Sequence, residues 1–367
     1  MTIASSLFIV ISLLYVAQCW LLVYGVSKSR YKKNTGFEPT VSIVTAARNE
    51  ELHIRACLES LARVDYPSAK LEIIVVDDNS TDSTVSIIQQ CVVDHPAIKT
   101  LIARQGTDRL RGKANAIAQC IDISNGEIIL MTDADCVVPQ SWVRATVQNY
   151  SDDTGVVAGL TLLQPTNWFA GMQSLDWAYI LALASAAMSL HNPLSCIGNN
   201  FSFRRKAYDE VGGYGSIEFS VTEDFALFTA ITKSGQWGYR YPLEKETLVF
   251  SNACPTILDL YRQKQRWGVG GKDMPFKGMM LMFVAFSMHV LLLSCIYFSI
   301  VPSLFLLGLA LKLASDFVLL VVPLSRTGQI KQLKYFLIFE LYYTIYVILL
   351  PFVVFLGGKV VWKGRSY

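Results

Sequence analysis

Hydropathy divides this chain into three blocks, and that division limits its fold more than any other feature. Residues 3–26 carry no charged side chain and are long enough to cross a bilayer as a helix. Residues 278–324 form a second apolar block, broken near Pro302 and Ser303, that accommodates two helices joined by a tight turn. Residues 335–356 make one further span. Between these blocks lies a polar, charge-rich middle of domain size. The expected organisation is an anchor over 1–27, a cytoplasmic domain over 28–277, and a membrane region with a basic tail over 278–367. At 52% hydrophobic residues and a mean hydropathy of +0.37, the whole is too apolar for an ordinary soluble protein.

The flanks orient the blocks. The first span has no basic start and no small-residue cleavage site, so it reads as an uncleaved anchor. Lys28, Arg30, Lys32 and Lys33 follow it directly, and Arg326, Lys331 and Lys334 precede the last span. By the positive-inside rule both flanks are cytoplasmic, as expected of a multi-pass protein of a bacterial inner membrane. Three spans after the middle would put the tail cations Lys359, Lys363 and Arg365 outside, against their own charge. A re-entrant last segment around Pro351 would avoid this, and Glu340 within it points to a buried face.

The net charge of +3 lies mostly beside the spans, which fits anionic lipid headgroups and not nucleic acid. The eight cysteines form no Cys-x-x-Cys pair and read as reduced core residues. The four histidines are scattered, so no His-based metal site is expected. A transporter would place its site between helices at mid-bilayer, which a polar middle of this length argues against.

Within the middle, apolar runs of strand length alternate with helical patterns. Residues 41–45, 71–76, 98–103 and 127–132 read as strands; 53–62, 83–92 and 112–123 read as helices. Four such alternations imply an α/β domain with a doubly wound, mainly parallel sheet. The strand ends carry Arg48, Glu50, Asp77, Asp78, Lys113, Asp133 and Asp135 on the rim where such folds hold nucleotides. Neither a Gly-x-Gly-x-x-Gly nor a Gly-x-x-x-x-Gly-Lys-Ser/Thr loop is present. Asp133 and Asp135, one residue apart after a buried strand, offer hard oxygen ligands for Mg²⁺ or Mn²⁺ carried in on a diphosphate. Alone, that pair reads more readily as a solvated acidic turn than as a metal site. Residues 166–190 place Trp168, Met172, Leu175, Tyr179 and Leu183 at helical spacing, which predicts an interfacial amphipathic helix; residues 255–277 read the same way. Gly212-Gly213-Tyr214-Gly215 reads as a flexible turn.

The ordered set Val44-Thr-Ala-Ala-Arg-Asn-Glu50, Val76-Asp-Asp-Asn-Ser-Thr-Asp82, Gly112-Lys-Ala-Asn-Ala116, Thr132-Asp-Ala-Asp135, Gly198-Asn-Asn-Phe201, Thr222-Glu-Asp224 and Gln263-Lys-Gln-Arg-Trp267 resembles the membrane-bound family 2 glycosyltransferases over residues 40–270. These include ceramide glucosyltransferases and cellulose, chitin and hyaluronan synthases. The resemblance implies a GT-A fold and an inverting, metal-dependent transfer from a nucleotide-sugar donor, a UDP-sugar, to a lipid hydroxyl. The alternative is a processive polysaccharide synthase. It further implies that Asp78 or Asp77 binds the donor's uridine, with Ala46, Arg48, Glu50 and Lys113 around the nucleotide sugar. Asp133 and Asp135 correspond to the metal pair and Asp224 to the general base. Glu223, Gln263, Arg266 and Trp267 correspond to the acceptor and diphosphate side.

Overall fold

The computed structural model describes residues 2–271, 274–295, 301–356, 361–363 and 365–366; Lys359 lies outside them. Nine strands belong to the polar middle: β1 (Val41–Ala47), β2 (Leu71–Asp77), β3 (Ile98–Ile102), β4 (Ile128–Met131), β5 (Thr154–Ala158), β6 (Thr161–Leu163), β7 (Phe201–Arg204), β8 (Gly238–Arg240) and β9 (Val249–Ser251). Seven of them form a sheet in the order β3-β2-β1-β4-β7-β5-β8. β1 to β4 run parallel, β7 enters antiparallel between β4 and β5, and β8 lies parallel to β5. β6 and β9 pair separately. Ala47 stands opposite Asp77, and Val44 opposite Met131. The carboxyl ends of β1, β2 and β4 therefore run out together, on one rim.

Both faces of the sheet are covered, which is why β1, β2 and β4 are near-continuous apolar runs. Ile43, Ile73 and Val75 pack on α2 (Ile54–Ala62), α3 (Thr84–Asp94) and α5 (Trp142–Val147). Val44, Ile74 and Val76 face α4 (Gly112–Ile123), α6 (Trp168–Ser189) and α9 (Glu223–Lys233). Between α6 and α9, α7 (Arg205–Glu210) and α8 (Gly213–Ser216) turn the chain. The expected flexible glycine turn is thus a short helix, with Tyr214 buried against Tyr208.

The second core does not stop at the domain. It continues into α1 (Ile3–Lys28), α12 (Pro302–Arg326) and α13 (Phe336–Leu356) through Leu22, Val26, Leu319, Leu320 and Phe339. Together with α11 (Phe276–Ser294), four stretches among the described residues are long and apolar enough to cross a membrane. α6 departs from the amphipathic helix expected. Seventeen of its 22 residues are buried, because α1, α12, α13 and the strands pack around it; Trp168 at its start stays exposed. A Cβ on Gly25 of α1 would lie 2.7 Å from the carbonyl oxygen of Ala186, so glycine is what permits that close approach. α10 (Ile257–Gly270) keeps Leu260 and Lys264 buried and leaves Ile257, Leu258 and Tyr261 exposed.

Inside the bundle Lys312 lies 3.1 Å from Asp316 and also pairs with Glu340 of α13. Tyr15 of α1 and Tyr179 of α6 donate to Asp316 at 2.7 and 2.9 Å. Glu340 is buried, as its position inside an apolar segment implied. Two carboxylates around one ammonium are held together by charge in a medium that solvates neither. Lys312→Met is expected to destabilise the fold by about 3–5 kcal/mol, since it strands two buried acids. Thermal unfolding in detergent measures this, and a loss below about 1 kcal/mol would mean that the acids do not depend on Lys312.

Candidate active site

The rim opens into a cleft. Its lining is assembled from segments far apart in the chain, and each is fixed locally. β1 ends at Ala47, and Asn49 turns the chain with φ 51°. Asn49 then accepts the Thr81 N–H at 2.9 Å, which ties the turns after β1 and β2 together. Arg48 donates to the Asp78 carbonyl at 2.5 Å and to the Asn79 carbonyl at 3.2 Å. Asp78 lines the cleft; Asp77 does not. Asp77 is buried beneath the rim and accepts the Ser80 N–H at 3.0 Å. Of the two candidates for the uridine acid, the geometry therefore brings Asp78 to the cavity.

Ala46, Arg48, Glu50, Lys113, Asp133, Asp135, Glu223, Asp224, Gln263, Arg266 and Trp267 all reach the same cleft. Lys113, in the first turn of α4, lies 2.6 Å from Asp133 and 2.9 Å from Glu223. Burial opposes the charge on Lys113, yet Asp133, Glu223 and Asp224 outweigh it and raise its pKa. Burial likewise opposes ionisation of Asp133, but Lys113, Arg266 and Lys363 hold that carboxyl below its usual range. Asp135 shifts upward, through burial and then the like charge of Asp133. Ser251 and Cys136 donate to it at 3.0 and 3.4 Å.

The second charge of this acidic pair is stabilised when a cation joins it. The donors are hard oxygens, which suits Mg²⁺ or Mn²⁺. Among the described residues no group of three or more His, Cys, Asp or Glu could hold a metal ion. An ion delivered by a diphosphate needs only one or two carboxylates, the remaining ligands being phosphate and water.

Asp224, at the start of α9, is half-buried. Its Oδ1 accepts the Phe225 N–H at 2.8 Å, and its Oδ2 accepts the Gly198 N–H. Burial, then the charge of Glu223, push its carboxyl up to about 6. Across the cleft, Trp267 leans on Trp177 with ring centroids 5.3 Å apart. Gln263 Oε1 is buried with no hydrogen-bond partner among the described residues, and a buried acceptor in that state is set for a donor from outside the chain. Lys264, the neighbour of Gln263, turns the other way into a buried ion pair with Asp176 of α6.

The profile described as Glycosyl transferase family 2 matches residues 42–212, and that described as Glycosyl transferase family group 2 matches residues 128–357, well over half of the chain. The chain belongs to the family 2 glycosyltransferases. This glycosyltransferase is 28% identical over 257 residues to the beta-monoglucosyldiacylglycerol synthase of Nostoc sp., covering 68% of this chain and 53% of the relative. It is 26% identical over 237 residues to the poly-beta-1,6-N-acetyl-D-glucosamine synthase of Staphylococcus epidermidis, covering 64% and 55%. The chain thus spans about half the length of these relatives. Its fold matches that of the mannosyltransferase PcManGT from Pyrobaculum calidifontis, solved in complex with GDP-Man and Mn²⁺. The TM-score is 0.61 at 19% identity, covering 93% of this chain and 99% of that one. The expected GT-A fold is borne out.

Sequence reasoning missed Lys363. It comes from the C-terminal tail, where Val361–Trp362 and Arg365–Ser366 pair antiparallel as β10 and β11, and it enters the glycosyltransferase cleft to pair with Glu50. Arg48 donates to its carbonyl at 3.3 Å. Glu50 is raised to about 7 by burial, which the charge of Lys363 partly offsets. Nothing in a basic tail beside a span distinguishes this from a headgroup contact. Asp135→Asn is expected to weaken Mn²⁺ binding in the presence of a nucleoside diphosphate at least tenfold, in line with the loss of one of two ligands. Titration followed by electron paramagnetic resonance checks this, and unchanged affinity would remove Asp135 from the ligand set.

Proposed function

We propose that this chain is an inverting, metal-dependent transferase that moves one sugar from a UDP-sugar to a lipid hydroxyl at the cytoplasmic face of a bacterial inner membrane. The observation that carries this reading is the arrangement across one cleft: the acidic pair Asp133 and Asp135, the cations Lys113 and Arg266, and Asp224 facing them. Asp78, Arg48, Ala46 and Glu50 surround the nucleotide end of the donor. Mg²⁺ or Mn²⁺ held by Asp133 and Asp135 would neutralise charge developing on the departing diphosphate.

Asp224 takes the proton of the acceptor hydroxyl as that oxygen attacks the anomeric carbon. The bond from sugar to phosphate breaks, its electron pair leaves with the diphosphate, and attack from the opposite face inverts the centre. Lys113 and Arg266 stabilise the leaving group as its charge grows. Glu223 holds Lys113 in place from the acceptor side. Gln263 and Trp267 orient the acceptor. A base raised to about 6 is still ionised at neutral pH and is stronger than an ordinary carboxylate.

Two observations favour a lipid acceptor. The relative from Nostoc is named as a synthase of a glucosylated diacylglycerol. The space between the spans is filled by Tyr15, Tyr179, Lys312, Asp316, Glu340 and Tyr343. Similarity to a poly-N-acetylglucosamine synthase supports the second reading, a processive synthase of the same chemistry. The basic residues after α1 support the orientation, and Arg326 at the end of α12 donates to the Val26 carbonyl at 2.7 Å, so two basic flanks share one side.

The deciding experiment incubates purified protein with native lipid extract and a panel of labelled UDP-sugars, then sizes the product. A single labelled lipid band is expected, whereas a high-mass ladder would establish the synthase. Asp224→Asn should lower transfer about 1,000-fold while UDP binding persists; full transfer by that variant would remove Asp224 as the base. Because Asp224 is raised, it takes up a proton as pH falls through about 6. Turnover at saturating donor should therefore fall about tenfold per unit below that pH. A profile flat down to pH 4.5 would contradict this.

A further inference from the structure

We infer that Gly198 is a positioning residue for transfer: its N–H, held by the rigid turn Gly198-Asn199-Asn200, aims the Asp224 carboxylate into the cleft. This deepens the reading of Asp224 as the base and rests on it. The two hydrogen bonds to that carboxylate differ in kind. The bond from Phe225 to Oδ1 is local and moves with α9. The bond from Gly198 to Oδ2 comes from a separate segment, 26 residues earlier, and ties the carboxylate to the sheet.

The turn that presents this N–H is anchored on every side. Asn199 and Asn200 are each only 3% exposed. Asn199 Oδ1 accepts from Thr161 at 2.8 Å. Asn200 donates to the Leu160 and Thr247 carbonyls at 2.9 and 2.8 Å and accepts from Trp142 at 3.0 Å. The carbonyl of Asn199 accepts from Thr132 at 3.0 Å, and Thr132 immediately precedes Asp133. One frame therefore fixes the donor-side acids and the base that faces them.

Glycine is needed at 198 for space. A Cβ there would lie 2.8 Å from Asp224 Oδ2 and 2.9 Å from its Cβ, closer than real contacts allow. An alanine has to push the carboxylate away, with the loss of the hydrogen bond. A displacement of about 1 Å at a reacting group is enough to cost about 100-fold in rate.

The test measures Gly198→Ala in full-length protein, using the UDP-sugar that the wild type turns over best in lipid extract. The expected result is a fall in kcat of about 100-fold, with KM for the donor and the affinity for UDP within about threefold of wild type. A merely structural role would move binding and thermal stability as well. The double variant supplies the second readout. In the Asp224→Asn background, Gly198→Ala is expected to change the residual rate by less than about twofold, because the group it acts through is gone. A Gly198→Ala variant retaining more than half of kcat overturns the inference, as does an equal loss in both backgrounds. Asp224→Asn with full transfer would instead end the reading of the base itself. If Gly198→Ala does not fold, Thr161→Val loosens the same turn from behind. It should lower kcat about tenfold with unaltered UDP affinity, and an unchanged kcat overturns the inference.

Discussion

Glu50, Asp133, Asp135, Glu223 and Asp224 crowd one cleft, and the fold can keep them there because cations are threaded between them. Like charges this close would otherwise drive protons onto some of the acids. Lys113 is the central counter-charge, since it touches Asp133 of the acidic pair and Glu223 beside Asp224. Its position follows from the backbone. Gly112, with φ 62°, starts α4 at the rim, and the first turn of that helix delivers the ammonium between the two acids. The same cation depresses Asp133 and tempers the rise in Asp224. Acids that share a partner respond together when any one of them changes.

Much of this was legible in the residues. Apolar runs that end abruptly in acids mark the carboxyl ends of parallel strands, so β1, β2 and β4 and the groups at their ends could be read directly. Asp77 and Asp78 could not be separated, because they are adjacent at the end of one strand and only the path of the turn decides which faces the cleft. β7 is four residues long and runs against its neighbours, too short for a periodic signal. For α6 the apolar spacing was real, but spacing alone does not distinguish one covered face from burial on most sides. Gln173, Ser174 and Asp176 lie among those apolar positions, and each finds a partner inside the protein: Gln173 the chain at Cys254, Ser174 the N–H of Leu163, and Asp176, through Oδ2, Lys264.

That enclosure makes α6 the member shared by the spans and the cleft. Asp176 pairs with Lys264 in the helix that carries Gln263, Arg266 and Trp267, and its neighbour Trp177 stands against Trp267. Less than one turn further on, Tyr179 donates to Asp316 inside the bundle. A shift of the spans would reach the cleft through one rigid helix, with buried charge holding both of its contacts.

The meeting of Lys363 with Glu50 fixes a parity that counting helices does not. Both residues belong to the same side of any lipid sheet around the bundle, so the chain between them must traverse that sheet an even number of times. Three apolar helices intervene. α13 begins beside the middle of α12, where Glu340 meets Lys312, and ends with Leu350 and Val354 against Gly268 of α10. It therefore runs from the middle of α12 to the helix that borders the cleft, and the tail that follows brings the Lys363 cation to Glu50.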